Sequence, residues 1–389
     1  MLIDTAKGLS EIIDRAMQAD SVAIDTEFVW ERTYYPRLGL VQIGVSEDEC
    51  YLVDTPAIGD VKAIGRLIAN PGVVKILHDA QQDLIILNRV TGALPKNIFD
   101  TRCAAGFAGL SSTISLSDLL RQLVGVKLSK TESRTDWLKR PLTERQVEYA
   151  IDDIRYMHTL RDKLLQRMKD SRREVWMEEE RALYEETERY EEKDPYTQYK
   201  KIKGKRRMSA QDSSMLKELA AWREETARKE NRPRGHIVSD EALVNLCRLK
   251  PKASSQLKGV KGLYDGEVRR YGSAILKVVK KGLSLEDNIG AEHHEKFHVS
   301  DVLNAQTDFV LAYMKGKSID SKVDLALVSS RAEVTALLSD GLSATPENHR
   351  LLRGWRREFL GEELLQLLAG KYTLRLDRDT GLPRLMPAS

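Results

Sequence analysis

The sequence predicts an α/β domain, a mixed sheet flanked by helices, followed by two small all-α bundles. Three observations lead there. Up to about residue 165, short apolar runs (SVAID, GLVQIG, CYLVD, VVKILH, NIFDT) share the chain with helical patterns. From about residue 209 the periodicity is almost wholly helical. Near residues 285–297 the stretch GLSLEDNIGAEHHEKFH interrupts it, which divides the helical half in two. The boundaries expected are 1–190 for the α/β domain with a trailing helix, 191–208 for a basic linker, and 209–288 and 297–372 for the bundles.

The elements follow in order. MLIDTAKGLSEIIDRAM reads as a strand and then a helix. The next three apolar runs succeed one another without a helix, which predicts an antiparallel meander. The last two alternate with the helical patterns DVKAIGRLIAN and AQQDLIILNRV, which predicts parallel crossovers. Thr143, with Gln146 three residues on, forms a capping box that starts a helix. Its periodicity runs to about Tyr190 and ends in EEERALYEETERYEEKDP, a solvated face leading into the linker. SDEALVNLCRLKP in the first bundle and SKVDLALVSSRAEV in the second occupy similar places, and the tail DRDTGLPRLMPAS reads as irregular.

Composition narrows the setting. A chain of 389 residues with 41% hydrophobic and 31% charged content supports several soluble domains. The 62 basic and 59 acidic residues nearly cancel, so the distribution of charge matters more than its sum. Cys50, Cys103 and Cys247 offer neither a disulfide framework nor a CxxC metal site, which points to a reducing compartment. No secretory leader is evident, and no apolar run approaches the ~18 residues a membrane span needs. A cytoplasmic protein without a membrane partner is expected.

Chemistry is concentrated in acids at the ends of regular elements. In AIDTEF, Asp25 and Glu27 lie two apart on a strand, so they share a face while Val22, Ile24 and Phe28 take the other. Two close negative charges resist burial unless a cation lies between them. In KILHDAQQDLIIL a strand gives way to a helix. Asp79 is expected to cap that helix, leaving Asp83 in its first turn as the ligand candidate. In VEYAIDDIRYM, Tyr149 and Asp153 share a helix face at i, i+4. Phosphodiester hydrolysis by two metals needs such converging carboxylates, with ions ~4 Å apart.

Taken together, DTE on the first long strand, Asp83 after a later strand and YxxxD on a late helix resemble the DEDD 3′–5′ exonucleases, tyrosine subclass. DTEFVWERTYYPRLGLVQIG, FDTRCAAGF and SKTESRTDWLKRPLTERQVEYAIDDIRYM resemble the ribonuclease D family more narrowly. LAAWREETARKENRPRGHIVSDEALVNLCRLKP, and YGSAIL after it, resemble an HRDC domain, and the second bundle is similar to the HRDC-like domain that follows it in that family. The resemblance implies an RNase H-like fold and release of nucleoside 5′-monophosphates from RNA 3′ ends, with transfer-RNA precursors as substrates. It implies two divalent ions per site, magnesium or manganese. Asp25, Glu27 and Asp153 would hold the ion that activates water, Asp25 would bridge to the second, and Asp83 would support that one. Tyr149 would orient the water.

For RNA contacts, Lys130, Ser133 and Arg134 in SKTESR stand just before the catalytic helix, and Phe28 is a candidate wedge at the terminal nucleotide. Trp137, Gln42 and His78 are expected inside, as packing and internal hydrogen bonds. The basic cluster at 200–207, with Arg228, Lys229, Arg232 and Arg234, is expected to attract phosphate. Two alternatives compete: a DNA 3′–5′ exonuclease, and a non-catalytic nucleic-acid scaffold. Oligomeric state stays open.

Overall fold

Along the chain, β1 (Leu2–Ile3) and α1 (Ala6–Ala16) come first, the helix capped by Thr5, whose hydroxyl accepts the Gly8 amide. β2 (Ser21–Val29), β3 (Arg37–Gly44) and β4 (Cys50–Asp54) follow with no helix between them. Then come α2 (Thr55–Ile58), α3 (Ile64–Ile68), β5 (Val74–Leu77), α4 (Gln81–Thr91), β6 (Ile98–Asp100), α5 (Thr101–Phe107) and α6 (Leu116–Leu123). The helix expected from Thr143 to about Tyr190 is three: α7 (Glu144–Arg155), α8 (Met157–Met168) and α9 (Arg173–Leu183). The capping box at Thr143 and Gln146 is present. This computed structural model describes residues 1–128, 132, 135–168, 173–205, 208–284 and 300–388. Among them no helix is long and apolar enough to cross a membrane.

The six strands form one sheet in the order β1-β4-β3-β2-β5-β6. β3 runs antiparallel to β4, while β2, β5 and β6 are parallel, as the spacing of helices predicts. Alternation on β2 sets the layers. Val22 and Ile24 enter a core with Leu84 and Leu87 of α4 and with α1 and α3. Ala23 enters the opposite core, with Ile154 of α7 and Met157, Leu160 and Leu164 of α8. Gly39 on β3 permits a close approach: a Cβ there would lie 2.5 Å from the Trp137 carbonyl oxygen.

The chain divides into two compact units, one of Met1–Glu27, Leu38–Tyr190 and Val299–Ser389, the other of Phe28–Arg37 and Glu191–His298. In the second, α10 (Ala210–Glu230), α11 (Arg234–Ile237), α12 (Asp240–Leu249), α13 (Ser254–Leu257) and α14 (Asp265–Ser284) enclose an apolar core. Glu224 is almost fully buried there and accepts from the Tyr34 hydroxyl and from Arg228 and Arg234. A buried carboxylate must be matched by donors, and these two arginines supply them, Arg234 with 41% of its side chain still exposed. Arg232 likewise bonds Glu230 and the Tyr271 hydroxyl. Arg206 and Arg207 lie outside the described residues, as do the HHE residues at 293–295.

The last segment belongs to the first unit. It holds α15 (Asp301–Ser321), α16 (Leu325–Val328), α17 (Arg331–Asp340), α18 (Gly354–Arg356) and α19 (Glu362–Leu368). β7 (Tyr372–Leu376) and β8 (Pro383–Pro387) then pair as an antiparallel hairpin. The tail was expected to be irregular. Its turn closes through Gly381 at φ +68° and through the Asp377 amide on the Leu382 carbonyl at 3.0 Å. The segment is bolted to α5 and α9. The Asp324 amide donates to the Gly106 carbonyl at 3.0 Å, and Arg356 pairs with Glu180 at 2.6 Å, both side chains largely buried. Trp355 stacks on Trp176 with centroids 5.4 Å apart and meets Phe107 edge-on at 5.1 Å.

Candidate active site

Asp25 and Glu27 have the parity of Ala23, which puts them on the α7 side of the sheet. From α7 comes Asp153. Carboxylate oxygens of Asp25, Glu27 and Asp153 all lie within 4.8 Å of one another. Thr26 has the parity of Val22 and Ile24 and is buried on the α4 side, where its hydroxyl donates to Asp83 Oδ1. Asp83 therefore stands on the α4 side of the strand, outside the group of three whose oxygens lie within 4.8 Å. Its charge still acts strongly on Asp25.

The start of α4 is held by Asp100 of β6 and not by Asp79, the cap the sequence predicts. Asp79 has φ +65° and makes no capping bond, its carboxylate pairing with Arg102 instead. With the backbone in that conformation, the helix amides turn toward β6. There Asp100 accepts from the Asp79 and Ala80 amides at 3.1 and 2.9 Å, from the Arg102 amide at 2.8 Å and from the Tyr184 hydroxyl at 2.7 Å. One buried carboxylate thus fixes the starts of α4 and α5 together.

Electrostatically the site is a crowd of carboxyl groups that resist ionisation without a cation. Burial first, and then Asp83, Asp153 and Glu27, drive the Asp25 carboxyl well above the ordinary range. Glu27 is pushed up to about 8 by burial, with Asp153 and Asp83 adding to it. Asp83 and Asp153 are each raised to about 7 by burial, opposed by hydrogen bonds from Thr26 and Tyr149 respectively. Burial and the three neighbouring carboxylates drive the Tyr149 hydroxyl far above its usual value, so it is a donor and not a base. Oxygen-only ligands, crowded, partly buried and mutually repelling, fit a hard divalent cation. Asp25, Glu27, Asp153 and Asp83 are the residues that could hold it.

Comparison with known proteins agrees. Residues 1–169 match the 3′–5′ exonuclease family model, and residues 212–279 match the HRDC domain. The ribonuclease D of Desulfotalea psychrophila is 38% identical over 364 residues, 92% of this chain and 96% of that protein. The chain belongs to the ribonuclease D family. The Escherichia coli family member is 30% identical over 94% of this chain and 98% of its own length. The crystal structure of the E. coli RNase D, described as an exoribonuclease involved in structured RNA processing, superposes with a TM-score of 0.81 at 29% identity, covering 95% of this chain and 98% of that one. The family's exonuclease fold implies divalent metal ions, in keeping with the acidic cluster seen here.

The remaining candidates fall out as follows. Gln42 is fully buried and its Nε2 donates to Asp25 Oδ2 at 3.5 Å; His78 Nδ1 meets the Thr101 hydroxyl at 2.8 Å, and burial lowers its pKa to about 4. Both are internal hydrogen bonders. Trp137 is buried against Tyr149, centroids 6.1 Å apart. Phe28 continues β2, its ring edge-on to Trp30 at 6.2 Å. Lys130, Ser133 and Arg134 lie outside the described residues. Thr26 and Asp100 went unnoticed in the sequence. The available signal for Thr26 was a polar residue at an apolar parity on β2.

Proposed function

We propose that this chain degrades RNA from the 3′ end by two-metal hydrolysis, releasing nucleoside 5′-monophosphates, and that transfer-RNA precursors are among its substrates. As a member of the ribonuclease D family, the chain is a 3′–5′ exoribonuclease. The observation that carries the mechanism is the meeting of Asp25, Glu27 and Asp153, from opposite ends of the nuclease domain, within 4.8 Å. Asp25, Glu27 and Asp153 would hold one ion, and Asp25 with Asp83 the second, magnesium or manganese. Such ions supply an activated water and neutralise charge on the leaving oxygen. The chain's own groups do the positioning. Tyr149 stays protonated, hydrogen-bonded to Asp153, and offers its hydroxyl to orient the attacking water. Substrate contact by Phe28, Lys130, Ser133 and Arg134 completes the reading, the last three on polarity and position in the sequence alone.

The segment at 297–372 is read as a second HRDC-like bundle. Its support is a repeated order of helix lengths: α10, α11 and α12 have 21, 4 and 10 residues, and so do α15, α16 and α17. In both, an extended residue and then a serine N-cap, Ser239 or Ser330, precede the third helix. Three free cysteines, all buried, suit a reducing cytoplasm.

The test uses the purified full chain with manganese or magnesium on matched RNA and DNA strands carrying a free 3′ hydroxyl. Stepwise shortening of the RNA, with mononucleotide product, is expected. Asp25→Asn should end turnover and leave RNA binding within about 3-fold. Equal rates for mutant and unmodified protein would remove the assignment.

A further inference from the structure

We propose that Thr26, the middle residue of the DTE segment, is a positioning residue for Asp83: its hydroxyl fixes the carboxylate that supports the second metal. This rests on the metal-dependent reading above. The geometry makes the role specific. Asp25 and Glu27 project on the α7 side of β2, and α4 packs on the other side. An acid on α4 meets β2 from the opposite face, at the residue between them. That residue is Thr26, 5% exposed, and its Oγ1 donates to Asp83 Oδ1.

Both ends of this bond stand on hydrogen-bonded elements. Thr26 sits on β2, whose preceding residues Ser21, Val22 and Ala23 are in register with Val74, Lys75 and Ile76 of β5. Asp83 stands in the first turn of α4, whose leading amides are clamped by Asp100. A short side chain on a strand and a short side chain on a capped helix leave few rotamers between them. Asp83 is 8% exposed and its charge acts on both Asp25 and Glu27, so repulsion favours any rotamer that turns it away from them. Thr26 supplies the attraction that opposes this turning, its hydroxyl engaging one carboxylate oxygen. Groups that orient metal-binding carboxylates typically change metal affinity or activity by ~10–100-fold when removed.

The experiment pairs Thr26→Val, which keeps the shape and removes the donor, with Thr26→Ser, which restores the donor. Manganese binding is read by calorimetry and by the manganese-induced rise in melting temperature, and activity by kcat and KM on an RNA with a free 3′ hydroxyl. Thr26→Val is expected to weaken manganese binding at one site and to lower kcat, each by ~10–100-fold, with KM for RNA within about 2-fold. Thr26→Ser should recover both to within about 3-fold. In an Asp83→Ala background, Thr26→Val should weaken manganese binding no further, because its effect passes through Asp83. Unmodified manganese affinity in Thr26→Val, a serine variant as poor as the valine one, or additive losses in the Asp83→Ala background would each overturn the role. Absence of manganese binding by the unmodified protein would overturn both this role and the metal-dependent reading beneath it.

Discussion

Glu27→Gln should end turnover and yet stabilise the metal-free protein above neutral pH. Glu27 lies among buried acids, and its carboxyl is pushed up to about 8 from the ordinary 4.5. The folded protein therefore keeps a proton that the unfolded chain releases. That contribution is complete below pH ~4.5 and disappears as pH rises through 8. At ~1.4 kcal/mol per pH unit of displacement, the charged form costs the fold at most on the order of 5 kcal/mol. The buried amide that replaces it retains part of the desolvation cost, which leaves a net gain of about 2 kcal/mol at pH 8.5. Asp83 and Asp153, each raised to about 7, act in the same direction. Urea midpoints in EDTA should thus fall between pH 5.5 and 8.5 for the unmodified protein and fall less for Glu27→Gln. Manganese, which competes with these protons, should restore most at the higher pH. Equal midpoints at both pH values, or a Glu27→Gln protein weaker than the unmodified one at pH 8.5, would refute the electrostatics drawn from the buried cluster.

Other outcomes follow from single contacts. Tyr149→Phe keeps the packing against Trp137 and loses the hydroxyl, so kcat should drop by ~10–100-fold with KM nearly unchanged, read in single-turnover assays. Arg140 holds buried Asp54 with two bonds of 2.6 and 2.8 Å and also the carbonyls of Trp137 and Gly39. Arg140→Met should cost about 3–5 kcal/mol in urea unfolding, and adding Asp54→Asn should recover part of it. Glu180→Ala strips the partner from Arg356 and the Trp355 indole, and should cost a similar 3–5 kcal/mol.

How far the sequence could be read follows from where each signal resides. Asp25, Glu27, Tyr149 and Asp153 were legible because strand and helix periods are local: parity on β2 and i, i+4 spacing on α7 assign faces without knowledge of the fold. The alternation of strands with and without intervening helices likewise anticipated the mixed sheet. Asp100 was illegible beyond its local cap on the Arg102 amide, because its other three donors come from residues 79, 80 and 184, which no local pattern connects. Asp79 was misread for a related reason: a capping residue is inferred from type, but φ +65° at that position turned the cap toward another strand. The pairing of Arg228 and Arg234 with Glu224 was illegible because Glu224 gives no sign of its burial in the sequence.

The nuclease unit is discontinuous in the chain, and this has a consequence for its biosynthesis. Trp176, Met177 and Phe107 are covered by Trp355 and its neighbours, which are translated only after the whole stretch from Glu191 to His298. At a synthesis rate of ~5–20 residues per second, the nascent sheet waits on the order of 10 s with an aromatic face exposed to solvent. Ribosome pausing within that stretch should therefore lengthen the interval in which the emerging protein is prone to aggregate, while pausing after Glu362 should have little effect.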